Sequence, residues 1–304
     1  MKLDRTRRRR GFTFIELLVS IGIIALLISM LTAGVVFSFN KVDQVRTTKE
    51  ISSLSQAIRQ FEADYNITAP PPSRLWLDNS ASPYSTPPAG YTPAQVQQLG
   101  IDSQNYLRQV WPRINFSAND WTSSGTTPPA PFNGILEGEE CLVLFVGGAR
   151  NSSGAFIGFS TADPSKPMDV TAATALKRKG PYYTFDASRI TVLPGRTFSV
   201  YNDPYGTPYA YFSSGKGANR YDAYFGPGPT FLGTHDCTSL SATLQPYFTG
   251  TRYYNADTFQ IISAGKNQQF GSGGNWTPTF GPAGTGVGAD DMSNFYDARL
   301  GVTP

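Results

Sequence analysis

The chain has 304 residues, of which 40% are hydrophobic and only 15% charged, with 30 Gly and 23 Pro. That apolar content excludes a disordered chain and suffices for a buried core, in about two average domain lengths. The net charge of +3 is uneven: residues 1–11 hold six basic side chains against Asp4, leaving 19 basic and 21 acidic residues elsewhere, which excludes a global basic surface for nucleic acid. One His and two Cys, without CxxC or HExxH, exclude the usual zinc sites.

Arg7 to Arg10 and Gly11 precede Phe12-Thr13-Phe14-Ile15-Glu16-Leu17-Leu18-Val19. From Leu17 to Phe39 there are 23 residues without a charge. As a helix they would span about 34 Å, enough for a bilayer core. The basic block is expected to stay cytoplasmic and send the C-terminus outward, a single pass through a bacterial inner membrane. A secretory signal peptide has a shorter apolar region and a small-residue cut site. A plain signal anchor tolerates the length but gives no reason for Glu16. A carboxylate costs about 2–3 kcal/mol towards the membrane centre, so Glu16 reads as functional.

Gly11 to Val19 resembles the processing site of type IV pilins and type II secretion pseudopilins. The resemblance implies that prepilin peptidase cuts after Gly11 and methylates the new N-terminal Phe12. It makes Glu16 the fifth mature residue. Gly at the cut leaves the backbone open to a peptidase. In a filament cored by apolar helices, a lone Glu16 would be an uncompensated charge, and breaking such a buried pair costs about 3–5 kcal/mol. The Phe12 amine of a neighbouring subunit would satisfy it and set the axial register. Many pilins carry Pro at the twenty-second mature position; here that residue is Ala33, followed by Gly34.

Ile51, Leu54, Ile58, Phe61 and Tyr65 recur at helical spacing on one stripe, and no Pro interrupts residues 12–69. A helix from Phe12 to Tyr65 is predicted, about 80 Å long. Asn66 and Pro70-Pro71-Pro72 end it. Val42 and Val45 lie off the stripe, as contacts with other subunits or as plain surface residues. The Pro/Ser/Thr-rich stretch 67–133 carries one predicted helix, Pro93 to Val110, while Trp76, Trp111 and Trp121 argue that it packs. Cys141 to Val146 is an apolar run ending in Gly147-Gly148, a buried strand or a helix turn. Strands are predicted at Tyr182–Phe185, Arg189–Leu193, around Phe198 and Val200, around Tyr209 and Tyr211, and at Phe259–Ser263. Asp203-Pro204-Tyr205-Gly206 has the signature of a type I turn.

The fold class expected is α+β and pilin-like, a long stem helix packed on an antiparallel sheet with long loop insertions. The predicted divisions are a leader at 1–11, a transmembrane and assembly helix at 12–39, an amphipathic stem at 40–66, the insertion at 67–133 and a periplasmic β-rich domain at 134–304. Asp203 to Tyr211, Phe259 to Gln269 and Asp290-Asp291-Met292-Ser293-Asn294-Phe295 are similar to the hairpin, last strand and acidic turn of major pseudopilins. Residues 67–196 and 213–255 have no counterpart in the compact members. The family often folds its last loop round Ca²⁺, which here implies Asn267, Asp290 and Asp291 as ligands. The other reading makes Asn267 a turn residue and the two Asp caps.

Export would expose Cys141 and Cys237 to an oxidising compartment. A disulfide between them would stabilise by about 4–5 kcal/mol. Cys141 also reads as a buried thiol. His235-Asp236-Cys237 is adjacent in sequence but lacks the convergence that a nucleophilic site needs, and is expected as a polar surface loop. Tyr221, Tyr224, Phe225, Tyr253 and Tyr254 either pack under loops or form a partner patch. The resulting expectation is a non-enzymatic filament subunit. Its partners would be prepilin peptidase, other pilin or pseudopilin subunits, an inner-membrane platform protein and an assembly ATPase. A secretion pseudopilus is the first reading, a surface type IV pilus for adhesion or motility the second, and a plain membrane-anchored domain the remote one.

Overall fold

The computed structural model describes residues 12–122, 131–171, 177–215, 217–226, 228–233, 235–278 and 286–301, without side chains for 31–40. Helix α1 runs Phe14–Tyr65, close to the predicted Phe12–Tyr65. The chain divides into two compact units, the first ending at Val45 and the second spanning Arg46–Pro304. Over residues 12–30 every side chain is exposed all round the helix, including Leu17, Ile21, Ile24 and Ile28. Among the described residues no helix is long and apolar enough to cross a membrane.

In the second unit the predicted stripe is buried. Ile51, Leu54, Ile58 and Phe61 are nearly inaccessible, and Tyr65 packs beside them on Phe61 at 4.8 Å between ring centroids. Val42 and Val45 are exposed. Beyond α1, strand β1 (Leu75–Asp78) pairs antiparallel with β2 (Asn133–Leu136). Helix α2 occupies Pro93–Val110 as predicted. Pro sits at its start, and the backbone N–H of Thr92 donates to Gln95 Oε1 at 2.9 Å, a reciprocal N-terminal cap.

The Cys141–Val146 run is helical, within α3 (Gly138–Gly147). Glu139 and Glu140 lie in its first turn, where the helix dipole favours acids. Gly148 ends it at φ 75°, a backbone that Gly adopts freely. Short pairs follow: β3 (Phe159–Ser160) with β4 (Arg178–Lys179), and β5 (Ile190–Val192) with β6 (Ser199–Tyr201). Tyr182–Phe185 is not a strand. Its aromatics lie over the core instead: Tyr182 meets Phe61 edge-on, and Tyr183 and Phe185 pack on Tyr201. Burial under a loop, not a pleat, explains that aromatic run.

The remaining strands are β7 (Ala210–Ser213), β8 (Tyr247–Thr249), β9 (Arg252–Tyr253), β10 (Phe259–Ser263), β11 (Gly274–Asn275) and β12 (Met292–Ser293). The Asp203–Gly206 turn closes through Gly206 N–H to the Asp203 carbonyl at 3.0 Å. The Asp203 side chain supports it, accepting from Tyr205 N–H at 2.9 Å and Ser263 Oγ at 2.5 Å.

Strand β10 is central, with β7 and β12 antiparallel on either side. Alternation along the strands sends Tyr211 and Ile261 towards α1 and α3, where they join Ile51, Leu54, Leu142 and Val146. Ala210, Phe212 and Ile262 face the opposite layer, formed by Tyr221, Tyr247 and Trp276. The insertions therefore cover a sheet face that would otherwise meet water. The architecture is α+β.

Candidate functional site

The N-terminal segment begins the described chain. Gly11, the predicted cut position, lies outside the described residues. Phe12 is 84% exposed. Thr13 immediately precedes α1, and its backbone N–H and hydroxyl both donate to Glu16 Oε2, at 2.9 and 2.8 Å. Glu16 N–H reaches back to Thr13 Oγ1 at 3.3 Å. This is a capping box, in which Thr and a Glu three residues on satisfy each other's orphan groups. The sequence reading assigned Glu16 to a neighbouring subunit and missed its local partner. The Thr-x-x-Glu spacing was the available signal. A cut after Gly11 would leave the box intact and place a new amine one residue before it.

Asn267 and Asp290 meet: Asn267 N–H donates to Asp290 Oδ2 at 2.8 Å, and the Asn267 amide donates to the Val287 carbonyl. Asp291 turns inward instead. Its Oδ2 accepts from Tyr247 Oη at 2.9 Å and Gly271 N–H at 3.0 Å. Burial raises the Asp291 carboxyl to about 7. Oxygens of all three side chains thus serve N–H or O–H donors of the protein, since Asn267 Oδ1 accepts from Gln269 N–H at 2.8 Å. Among the described residues no group of three His, Cys, Asp or Glu side chains is placed to hold a metal ion. Hydrogen bonds close the loop, with Asp290 and Asp291 at the end of a short 3-10 turn, Val287–Asp290.

Cys141 and Cys237 are both buried free thiols, the second of the two readings that the sequence left open. Cys141 packs with Phe61 and Phe145, whereas Cys237 packs with Phe212 and Tyr247 and donates to the Tyr211 carbonyl at 3.4 Å. Burial, reinforced by nearby carboxylates, pushes both thiols well above their ordinary range.

The His235-Asp236-Cys237 loop is also not a surface feature: Asp236 and Cys237 are buried. Asp236 Oδ2 accepts from Ser73 Oγ at 2.5 Å, and Arg74 Nη1 lies 3.9 Å from its Oδ1. Arg74 also faces Glu137 at 3.7 Å, Glu137 faces Arg196 at 3.9 Å, and Arg196 pairs with both oxygens of Glu140. This buried network joins the segment after α1, the start of α3 and two loops. Of the aromatic group flagged from sequence, Tyr221 is buried, and Tyr224 donates to Asp102 Oδ2 at 2.7 Å.

Residues 6–32 match the family described as the prokaryotic N-terminal methylation motif. No curated protein and no solved structure matches the chain. The motif supports a type IV pilin-like family. It indicates a precursor of the pilin or pseudopilin type, processed by prepilin peptidase and assembled with other such subunits.

Proposed function

We propose that the chain is a structural subunit of a type II secretion pseudopilus, an envelope filament whose growth moves exported proteins outward. The observation that carries this reading is the methylation motif followed at once by a capped, all-round apolar helix. Leu17–Phe39 anchors the precursor in the inner membrane, with the basic leader in the cytoplasm and the C-terminal unit in the periplasm. Cleavage after Gly11 removes the basic tag. Methylation then falls on Phe12. Apolar helices pack against those of neighbouring subunits once they leave the lipid.

In this scheme Glu16 has two partners in succession. In the single subunit it is held by Thr13. In the filament the amine of a neighbour's Phe12 supplies the opposite charge, and a charged partner makes a stronger hydrogen bond than a neutral one. The platform protein and assembly ATPase provide the work, and this subunit performs no catalysis of its own. The pseudopilus reading draws on the resemblance of the Asp203–Tyr211 and Phe259–Ser263 segments, of which Ala210 and Tyr211 pair with Ile262 and Ile261.

The test is the mass of the N-terminal peptide from native protein in two fractions, envelope and sheared surface material. A methylated peptide starting at Phe12 and confined to the envelope is expected. The same peptide mainly in sheared filaments would replace the pseudopilus with a surface pilus. An intact Met1 start, with the peptidase active, would refute filament assembly and leave a membrane-anchored domain.

A further inference from the structure

Asn-x-Ser/Thr, the acceptor pattern for an N-linked sugar, occurs four times in the chain, at Asn66, Asn115, Asn151 and Asn275. A bulky sugar needs an Asn that reaches solvent in the folded protein. It also needs the hydroxyl two positions on, which a transferase grips to present the amide. Bacterial oligosaccharide transfer adds a third demand, an acid two positions before the Asn that pairs with a cation of the transferase.

Asp64-Tyr65-Asn66-Ile67-Thr68 meets all three. Asp64, Asn66 and Thr68 are exposed. Asn66 follows the last residue of α1 at φ 52°, a left-handed backbone that Asn accepts more readily than most side chains. Its N–H donates to the Ala63 carbonyl at 3.2 Å, and Ile67 N–H to the Glu62 carbonyl at 3.0 Å. This cap and the buried Ile67 side chain hold the backbone in place. The cap uses main-chain groups alone. Among the described residues neither the Asn66 amide nor the Thr68 hydroxyl makes a hydrogen bond. Capping accounts for Asn66 but makes no use of Thr68.

The other three sites fail these demands. Arg113, Ala149 and Gly273 stand where Asn115, Asn151 and Asn275 would need an acid. Two of the hydroxyls are engaged: Ser117 Oγ donates to the Ser80 carbonyl at 2.8 Å, and Ser153 Oγ to Asn151 Oδ1 at 2.7 Å. Asn275 Oδ1 accepts from Gly250 N–H at 3.2 Å, and Trp276 beside it is buried.

We propose that Asn66 is a site of N-linked glycosylation, receiving an oligosaccharide from a polyprenyl diphosphate carrier through a membrane transferase. A bond forms between Asn66 Nδ2 and the anomeric carbon of the first sugar. The bond from that carbon to the diphosphate oxygen breaks, the diphosphate leaves with the electron pair, and one amide proton is lost to a base of the transferase. Access depends on the membrane orientation proposed above, with the second unit in the periplasm, where such carriers present their sugar. Transfer precedes closure of the last turn of α1, since the transferase must grip residues 64–68 as a strand. The cap then forms with the sugar in solvent, and no hydrogen bond of the folded protein is displaced.

The test is mass spectrometry of tryptic peptides from the full chain, purified from the envelope of its own host. The peptide Gln60–Arg74 should carry an oligosaccharide, with fragmentation placing it on Asn66. The peptides holding Asn115, Asn151 and Asn275 should be bare. Thr68→Ala, at an exposed position outside α1, should abolish the modification and leave the unfolding midpoint unchanged, whereas Thr68→Ser should retain it. Asp64→Asn should lower occupancy at least tenfold. A bare Asn66 in the native protein would overturn the proposal, as would full occupancy in Thr68→Ala or equal occupancy at the other three sites. The N-terminal peptide in the same digest separates the two readings. Methylated Phe12 beside a bare Asn66 refutes glycosylation alone, while an intact Met1 start refutes the filament reading.

Discussion

Replacing Glu139 by Gln is expected to make the protein more stable at high pH and to leave it nearly unchanged at low pH. Glu139 is fully buried at the start of α3, and neither carboxylate oxygen has a sound hydrogen bond. Burial first, then Glu137 and Glu140, raise its carboxyl from 4.5 to about 8, offset weakly by its own backbone and the Cys237 thiol. The folded state therefore keeps a proton that the unfolded chain releases above pH 4.5. The native state is favoured most below pH 4.5 and loses that advantage as pH rises through 8. From pH 5 to pH 8 the loss amounts to about 3–4 kcal/mol, at 1.36 kcal/mol per pH unit over most of the interval. Gln is close in shape and does not titrate. Urea unfolding of both proteins in detergent, followed by tryptophan fluorescence, should give a stability difference that grows in favour of Glu139→Gln by that amount between pH 5 and pH 8. Titrations shared by both proteins, such as Asp236 at about 6, largely cancel in the comparison. A difference that stays constant with pH would mean that Glu139 is ionised in the folded protein, and the argument from burial would fail.

Phe61→Ala should cost about 3–5 kcal/mol in the same assay. Phe61 is inaccessible and rings of Tyr65, Phe145, Phe159 and Tyr182 surround it. Val45→Ala should change single-subunit stability by less than about 0.5 kcal/mol, because Val45 is 67% exposed. A loss of filament yield in that variant would identify Val45 as an intersubunit contact. Gly265→Ala should destabilise by at least about 1–3 kcal/mol from its left-handed backbone alone. Gly265 has φ +67°, and an added Cβ would lie 2.2 Å from the Asp290 carbonyl oxygen, so thermal unfolding should report a further cost from the clash. Cys141 and Cys237 should react with iodoacetamide only after denaturation, without prior reduction, as mass spectrometry of the labelled protein would read. Glu16→Ala should be cut and methylated normally but assemble poorly, as the ratio of processed to filament-bound subunit would show.

The α1 stripe and α2 were legible because each is long, periodic and bounded by plain signals: Pro70-Pro71-Pro72 after the first, Thr92-Pro93 before the second. The β10 strand and the Asp203–Gly206 turn were legible for similar local reasons. Cys141–Val146 was not, since an apolar run buried on all sides has no periodicity to separate helix from strand. Its flanks held the answer, with Glu139 and Glu140 before it and Gly148 after it. Tyr182–Phe185 misled because aromatic enrichment marks burial as much as strand. At the candidate site, the peptidase motif was plain in the sequence, while the Thr13–Glu16 box was present but unread.

Long-range placement accounts for the rest. Nothing local in Ser73-Arg74 or His235-Asp236 indicates that residues more than 160 positions apart share a buried hydrogen bond. A charged network of this kind is weak evidence for stability, because removing two charges from water costs about as much as their attraction returns. Its value here is positional. Arg74 leaves the end of the stem, Glu137 and Glu140 open α3, and Arg196 and Asp236 lie in the two loops that flank β6 and β7. Each of these pairs ties two of the segments together. The pairing thus restricts how the inserted segments seat on the stem-and-sheet core. A cavity between α2 and the loop after β7 depends on that seating, since Ser73, Arg74 and Asp236 belong both to the network and to its wall.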